Sequence, residues 1–218
     1  MIRDHRVQAY LERLRPERDE LLAEMEALAR VEAIPIVEWE TGRLLATLVA
    51  ALQPRRALEV GTAIGYSTLH MAREMPPDGR IVTLERDPER MAQARAFWAR
   101  DDAAARIELV EGEALESLTS LEGPFALVFL DATKTEIADY LRLVDRLVEP
   151  GALLVVDNLL MSGEAALPEN ADTSWSDAAL ACARRATSDL MSSPDWLFLL
   201  LPVGDGVGLA TRRGAASR

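Results

Sequence analysis

The chain has 218 residues, 49% of them hydrophobic, which suits one domain with a sizeable buried core. Its net charge of -12 opposes non-specific nucleic-acid binding, which relies on cations displacing counterions from phosphates, and points to a small-molecule partner. No apolar run approaches the roughly 20 residues of a membrane-spanning helix, and Met1-Ile2-Arg3-Asp4-His5 lacks the apolar stretch of a secretion signal, so a cytoplasmic location is expected.

In chain order, Leu11, Leu14, Leu21, Leu22, Met25 and Leu28 recur at helical spacing, and Pro16 should divide that stretch into two helices. Arg3, Arg6, Arg13, Arg15 and Arg18 alternate with Glu12, Glu17 and Glu20, as on a solvated helix face. A third helix over 38–53 ends before Pro54. Residues 1–55 thus read as a helical annex to a core of 56–213. There the pattern becomes short apolar runs at 57–60, 80–85, 106–110, 125–131 and 152–157, separated by helical segments at 67–75, 88–100, 115–121 and 136–148. Strands alternating with helices predict an α/β, Rossmann-like sheet, mostly parallel, with helices on both faces. Two further strands, 196–201 and 207–211, are joined by a link too short for a crossover helix and should form an antiparallel hairpin. Between them and the fifth strand, Ser162 to Ser174 reads as a long loop. Cys182, the one cysteine, permits no intramolecular disulfide and is expected to be a buried small hydrophobe.

Ligands of open α/β sheets bind where the strands end. The first strand runs through Glu59 and Val60 into Gly61-Thr62-Ala63-Ile64-Gly65, a turn that lets a ligand approach the backbone. Glu85, ending the second strand, suits the hydroxyls of a ribose. The fourth and fifth strands end in Asp131 and in Asp157-Asn158. Charges that continue strands buried on both faces are costly unless paired or bound to a cation. Three oxygen ligands suit Mg²⁺, with positions left for a substrate bearing two adjacent oxygens. Helix and loop capping is the competing role for these side chains. Lys134 is the only lysine among 24 cationic residues. Unlike arginine, it can act as a neutral base or remain a charged stabiliser of an oxyanion. Tyr140 follows on the next helix, facing either substrate or core.

The segments Leu58-Glu59-Val60-Gly61-Thr62-Ala63-Ile64-Gly65-Tyr66-Ser67, Asp131-Ala132-Thr133-Lys134, Asp157-Asn158 and Leu201-Pro202-Val203-Gly204-Asp205-Gly206 together resemble the cation-dependent O-methyltransferases, which include catechol and caffeoyl-coenzyme A enzymes. The likeness runs from about Ile34 to Arg213 and is nearest the compact bacterial members. It implies the seven-stranded S-adenosylmethionine-dependent methyltransferase fold, S-adenosylmethionine and a divalent cation such as Mg²⁺ as cofactors, a phenolic small-molecule substrate and a homodimer. Residue by residue, it implies that Glu59, Gly61, Tyr66 and Ser67 bind the methionine part of the cofactor. Glu85 is matched to the ribose, Ala114 to the adenine, and Val37 to a backbone contact. Asp131, Asp157 and Asn158 match metal ligands, Asp131 also bordering the cofactor. Lys134 matches the catalytic lysine and Tyr140 a substrate-side tyrosine.

Three departures concern the acceptor: Thr133 replaces a frequent aspartate, Met161 a common tryptophan, and Thr187 an asparagine. Met161 and the 162–174 loop suggest an open, adaptable substrate wall. The alternative within the fold is methylation of 5-hydroxyuridine in transfer RNA, against which the net charge argues. A nucleoside-sensing module leaves the oxygen-ligand triad and the lone lysine without a purpose. A nicotinamide oxidoreductase lacks its Gly-x-Gly-x-x-Gly turn.

Overall fold

A computed structural model describes residues 5–17, 19–168 and 171–214. Arg3 and Arg18, weighed above, and residues 169–170 of the expected long loop lie outside the described residues. The amino-terminal annex contains α1 (His5–Leu14), α2 (Glu20–Val31) and α3 (Trp39–Leu52). Pro16 separates the first two, and Asp19 caps α2 by accepting from the Leu22 amide at 2.8 Å. Arg15 departs from the solvated face expected of it: it pairs with Glu40 and lies over the Trp39 ring, tying the end of α1 to α3.

The core alternates β1 (Arg56–Val60), α4 (Tyr66–Glu74), β2 (Arg80–Glu85), α5 (Pro88–Trp98), β3 (Ile107–Glu111), α6 (Ala114–Ser120), β4 (Phe125–Leu130), α7 (Ile137–Val144), β5 (Val148–Val156), α8 (Asp177–Ser192), β6 (Trp196–Leu201) and β7 (Val207–Arg212). They form one seven-stranded sheet in the order β3-β2-β1-β4-β5-β7-β6. The first five strands pair in parallel, and β7 is antiparallel to both β5 and β6. The hairpin therefore folds back so that β6 again runs with the first five strands. Its turn falls at the same sheet edge as their carboxyl ends.

Side-chain alternation along the strands builds two cores. Ala57, Leu127, Phe129 and Val155 face α2, α3 and α4, while Leu58, Val60, Val128, Leu130, Leu154 and Val156 face α7 and α8. Phe129 is wholly buried at the sheet centre; truncation to alanine there should cost about 3–5 kcal/mol. One boundary differs from expectation. The helix expected to reach Val148 ends at Val144, and β5 begins at Val148, which pairs with Phe125 across a register shift. Pro150-Gly151, ordinarily a break in the pattern, lies inside this irregular strand start. Among the described residues no helix is long and apolar enough to cross a membrane.

Candidate active site

Level strand ends bring the predicted carboxylates together. The Asp131 amide donates to the Val60 carbonyl at 2.9 Å, and the Asp157 amide donates to the Leu130 carbonyl at 3.0 Å. The two acids thus continue neighbouring strands in register. Gly61, at φ +100°, turns beside them: a Cβ there would lie 2.1 Å from the Asp131 carbonyl oxygen, so only glycine permits this approach. A cavity of about 620 Å³ opens above these ends. Val37, Gly61, Tyr66, Ser67, Glu85, Ala114, Asp131, Lys134, Tyr140, Asp157 and Asn158 all border it.

One half of the cavity is built from β1, β2 and α6. The Glu85 carboxylate accepts from the amides of Ala63, Arg86 and Asp87 at 2.8, 2.9 and 3.0 Å, which fixes an acceptor pair at the cavity rim. Glu59 is the exception among the expected cofactor binders. It is fully buried and does not border the cavity. Its carboxylate instead accepts from the hydroxyls of Ser67, Thr68 and Thr83 at 2.6, 2.5 and 2.5 Å. Burial pushes its pKa up to about 7 against the pull of those donors. Glu59 therefore braces the glycine turn from behind: a charge inside a strand buried on both faces is tolerated by hydrogen bonding here, not by a ligand.

The other half gathers β4, β5 and the β6–β7 turn. Lys134 donates to Asp131 at 2.6 Å. Asp157 is 4% exposed, and its Oδ1 is buried with no hydrogen-bond partner. Burial first, and repulsion from Asp131 second, push its pKa up to about 7. Among the described residues no group of three or more His, Cys, Asp or Glu is placed to hold a metal ion. The donor set at this edge is instead two carboxylates and the amide of Asn158. An orphaned carboxylate oxygen beside a second carboxylate is what a hard, oxygen-seeking cation would satisfy.

Among the lining residues not singled out from the sequence are Asp205 and Trp175. Asp205, between Gly204 and Gly206, accepts from Asn158 Nδ2 at 3.4 Å and from the Ser162 hydroxyl at 3.0 Å. Its signal was present, an acid between two glycines in the hairpin turn, but only the sheet order puts that turn at the ligand edge. Trp175 also borders the cavity, and only its isolation as an aromatic in a polar stretch hinted at this.

The acceptor-side expectations need correction. Met161 is fully buried in the core and absent from the cavity wall, because a left-handed backbone from Met161 to Gly163 turns it inward. The long loop opens with short helical turns within 161–166, broken by a left-handed kink at Ser162 and Gly163. Glu164 then accepts from the Ser174 amide and hydroxyl and from the Trp175 amide at 3.0, 2.6 and 3.1 Å. An aromatic, Trp175, thus borders the cavity where an open wall without one was expected. Thr187 does not border the cavity and bonds the Ala183 carbonyl of its own helix. Tyr140 has its ring buried in the core and also borders the cavity. Its hydroxyl donates to Glu136, and burial together with that bond drives its pKa well above the ordinary phenol value. Cys182 is half-buried rather than buried.

Comparison with known proteins agrees with this geometry. The profile of the O-methyltransferase family matches residues 14–213. The chain is 44% identical over 128 residues to a catechol O-methyltransferase of Mycobacterium tuberculosis, a stretch covering 58% of each chain. It is 37% identical over 159 residues to a catechol O-methyltransferase of Niastella koreensis, covering 71% of this chain and 72% of that one. Among solved structures, the O-methyltransferase TomG from Streptomyces achromogenes, involved in tomaymycin synthesis and crystallised with SAM, superposes with a TM-score of 0.84 at 32% identity, covering 98% of this chain and all of that one. With the matched region taking in α2 and α3 of the annex, the glycine turn, both strand-end acids and the hairpin, the chain belongs to the O-methyltransferase family.

Proposed function

We propose that this protein transfers the methyl group of S-adenosylmethionine to one oxygen of a small vicinal diol, a catechol or caffeoyl-type phenol, in a reaction that requires a divalent cation such as Mg²⁺. The observation that carries the reading is the unpartnered, buried oxygen of Asp157 beside Asp131 and Lys134, in a cavity whose opposite rim is the anchored Glu85 carboxylate. The names of the catechol-methylating relatives support the substrate class, and the SAM bound to TomG supports the methyl donor.

In this reading Asp131, Asp157 and Asn158 hold the cation, which when bound acidifies a substrate hydroxyl by Lewis-acid polarisation. Glu85 accepts from the ribose hydroxyls, while the Gly61 turn and Ser67 hold the methionine part. Ala114, the first residue of α6, borders the adenine. Lys134 either takes the hydroxyl proton at Nζ as the neutral amine or, as the ammonium paired with Asp131, steadies the oxyanion while the proton passes to solvent. The acceptor oxygen then forms a bond to the methyl carbon as the carbon–sulfur bond breaks, leaving S-adenosylhomocysteine; alignment of the two supplies much of the rate. Trp175 offers a ring face to a planar substrate, and Tyr140 backs the substrate side from the core. The same reading makes the enzyme a cytoplasmic homodimer. Supporting a second copy, α1 exposes Val7, Tyr10, Leu11 and Leu14 along one stripe, a surface that sedimentation of the intact chain would find covered.

Incubation with labelled S-adenosylmethionine, a panel of catechols and 5-hydroxyuridine-containing transfer RNA tests the assignment. Label in the catechols is expected. Label confined to the RNA contradicts it. No observation on the site favours the RNA reading, and the net charge of -12 opposes it.

A further inference from the structure

We infer that Asp205 is a positioning residue that fixes the side-chain amide of Asn158 so that its oxygen, not its nitrogen, faces the cation site. The inference rests on the metal-dependent reading above. Asn158 opens a segment of unusual backbone: φ is positive at Asn158, Met161, Ser162 and Gly163, at 62°, 49°, 56° and 94°. Residues other than glycine hold such conformations only where their surroundings over-determine them. Here the surroundings are largely the hairpin turn. The Asp205 carbonyl accepts from the Leu160 amide at 3.0 Å, and the Gly206 carbonyl accepts from the Leu159 amide at 2.8 Å. The Asp205 side chain spans the same stretch, one oxygen on the Ser162 hydroxyl at 3.0 Å and the other on Asn158 Nδ2 at 3.4 Å. Gly206 makes the approach possible, since a Cβ on it would lie 2.4 Å from the Leu160 Cβ.

The chemistry follows from the shape of an amide. It has a donor end and an acceptor end, and only the acceptor end can ligate a cation. With the donor end of Asn158 engaged by Asp205, the acceptor end is what remains for the metal. Rotated by half a turn, the same side chain would present N–H groups to a positive charge. Partners behind a ligand commonly act in this way.

The test is Mn²⁺ titration of the purified full chain, free Mn²⁺ being read by electron paramagnetic resonance, beside S-adenosylhomocysteine affinity as a measure of the intact cofactor half. Wild type should bind Mn²⁺ saturably. Asp205→Leu, which keeps the approximate volume and removes both acceptor oxygens, should weaken Mn²⁺ binding by about 10–100-fold and leave S-adenosylhomocysteine affinity at its wild-type value. Asp205→Asn can still offer a carbonyl to Asn158 and an amide to Ser162, so it should recover most of the loss. Equal Mn²⁺ affinity in wild type and Asp205→Leu overturns the role of Asp205. An asparagine variant as weak as the leucine variant replaces orientation by simple charge attraction and also overturns it. If the leucine variant loses S-adenosylhomocysteine binding through misfolding, the asparagine variant alone decides. Absence of saturable Mn²⁺ binding in wild type instead overturns the metal reading, and Asn158 as a ligand with it.

Discussion

The two halves of the cavity treat buried polar groups in opposite ways. Behind the glycine turn, Glu59 is enclosed but accepts three hydroxyl hydrogen bonds, and Thr62 and Thr83 pair their hydroxyls at 2.6 Å. Across the cavity, Asp157 is enclosed and leaves one oxygen without a partner, next to a backbone that turns left-handed at Asn158, Met161 and Ser162. A half that is already satisfied needs no counter-charge and can bind by shape and by the hydrogen bonds that Glu85 offers at its rim. The unsatisfied half is costly until something positive enters, which is why we place the cation there.

The largest way to break this contrast is at Asp157. Asp157→Ala removes an anionic ligand from the second half only, so turnover should fall to background while S-adenosylhomocysteine affinity, read by calorimetry, stays near wild type. Loss of both together would show that the halves are not separable. Next comes Lys134→Arg, which keeps the charge beside Asp131 but supplies no neutral amine; kcat should fall by roughly 10²–10⁴-fold if the proton goes to Nζ. Near wild-type kcat would assign the lysine to charge stabilisation.

Stability against pH sharpens the comparison from the satisfied side. Burial holds the pKa of Glu59 near 7 against an ordinary 4.5, so the folded state binds the extra proton, and this group lowers stability as pH rises from about 4.5 through 7. His70, packed edge-on against Tyr66, has its pKa lowered by burial to about 4 from 6.5. There the unfolded state binds the extra proton, so stability falls as pH drops from 6.5 toward 4, by roughly 3 kcal/mol at most. Urea melts of Glu59→Gln should therefore show a steeper rise in stability between pH 4.5 and 7 than wild type, because the falling contribution of Glu59 is removed while those of His70 and Asp157 stay as they were. An unchanged slope would mean that Glu59 stays ionised throughout. The smallest effect is expected at Trp175: its truncation to alanine should raise the catechol KM severalfold, about the 1 kcal/mol of a lost aromatic contact, with kcat little changed.

Much of the fold was legible because the strands are buried on both faces and read as short apolar runs between helical stretches. The carboxylates at their ends were legible because charge directly continuing such a run is costly and rare. What escaped had a spatial cause. Glu59 carries the same strand-borne charge as Asp131, and sequence does not tell a hydroxyl-braced acid from one that faces a cavity. Asp205 and Trp175 reach the site through the order β5-β7-β6 and through the Glu164 anchor, neither of which leaves a periodic mark. Met161 was read as a wall residue because it stands where the resembling family commonly has a tryptophan, whereas a local left-handed turn reverses its direction.

We propose that the unsatisfied half holds a cation that two adjacent substrate oxygens chelate. The methylation rate of a catechol and of its monohydroxy analogue, each with added Mg²⁺ and with excess chelator, tests this. Turnover of the catechol alone, abolished by chelator and restored by Mg²⁺, is expected; undiminished catechol methylation in chelator, or equal turnover of the monohydroxy compound, overturns the cation's role.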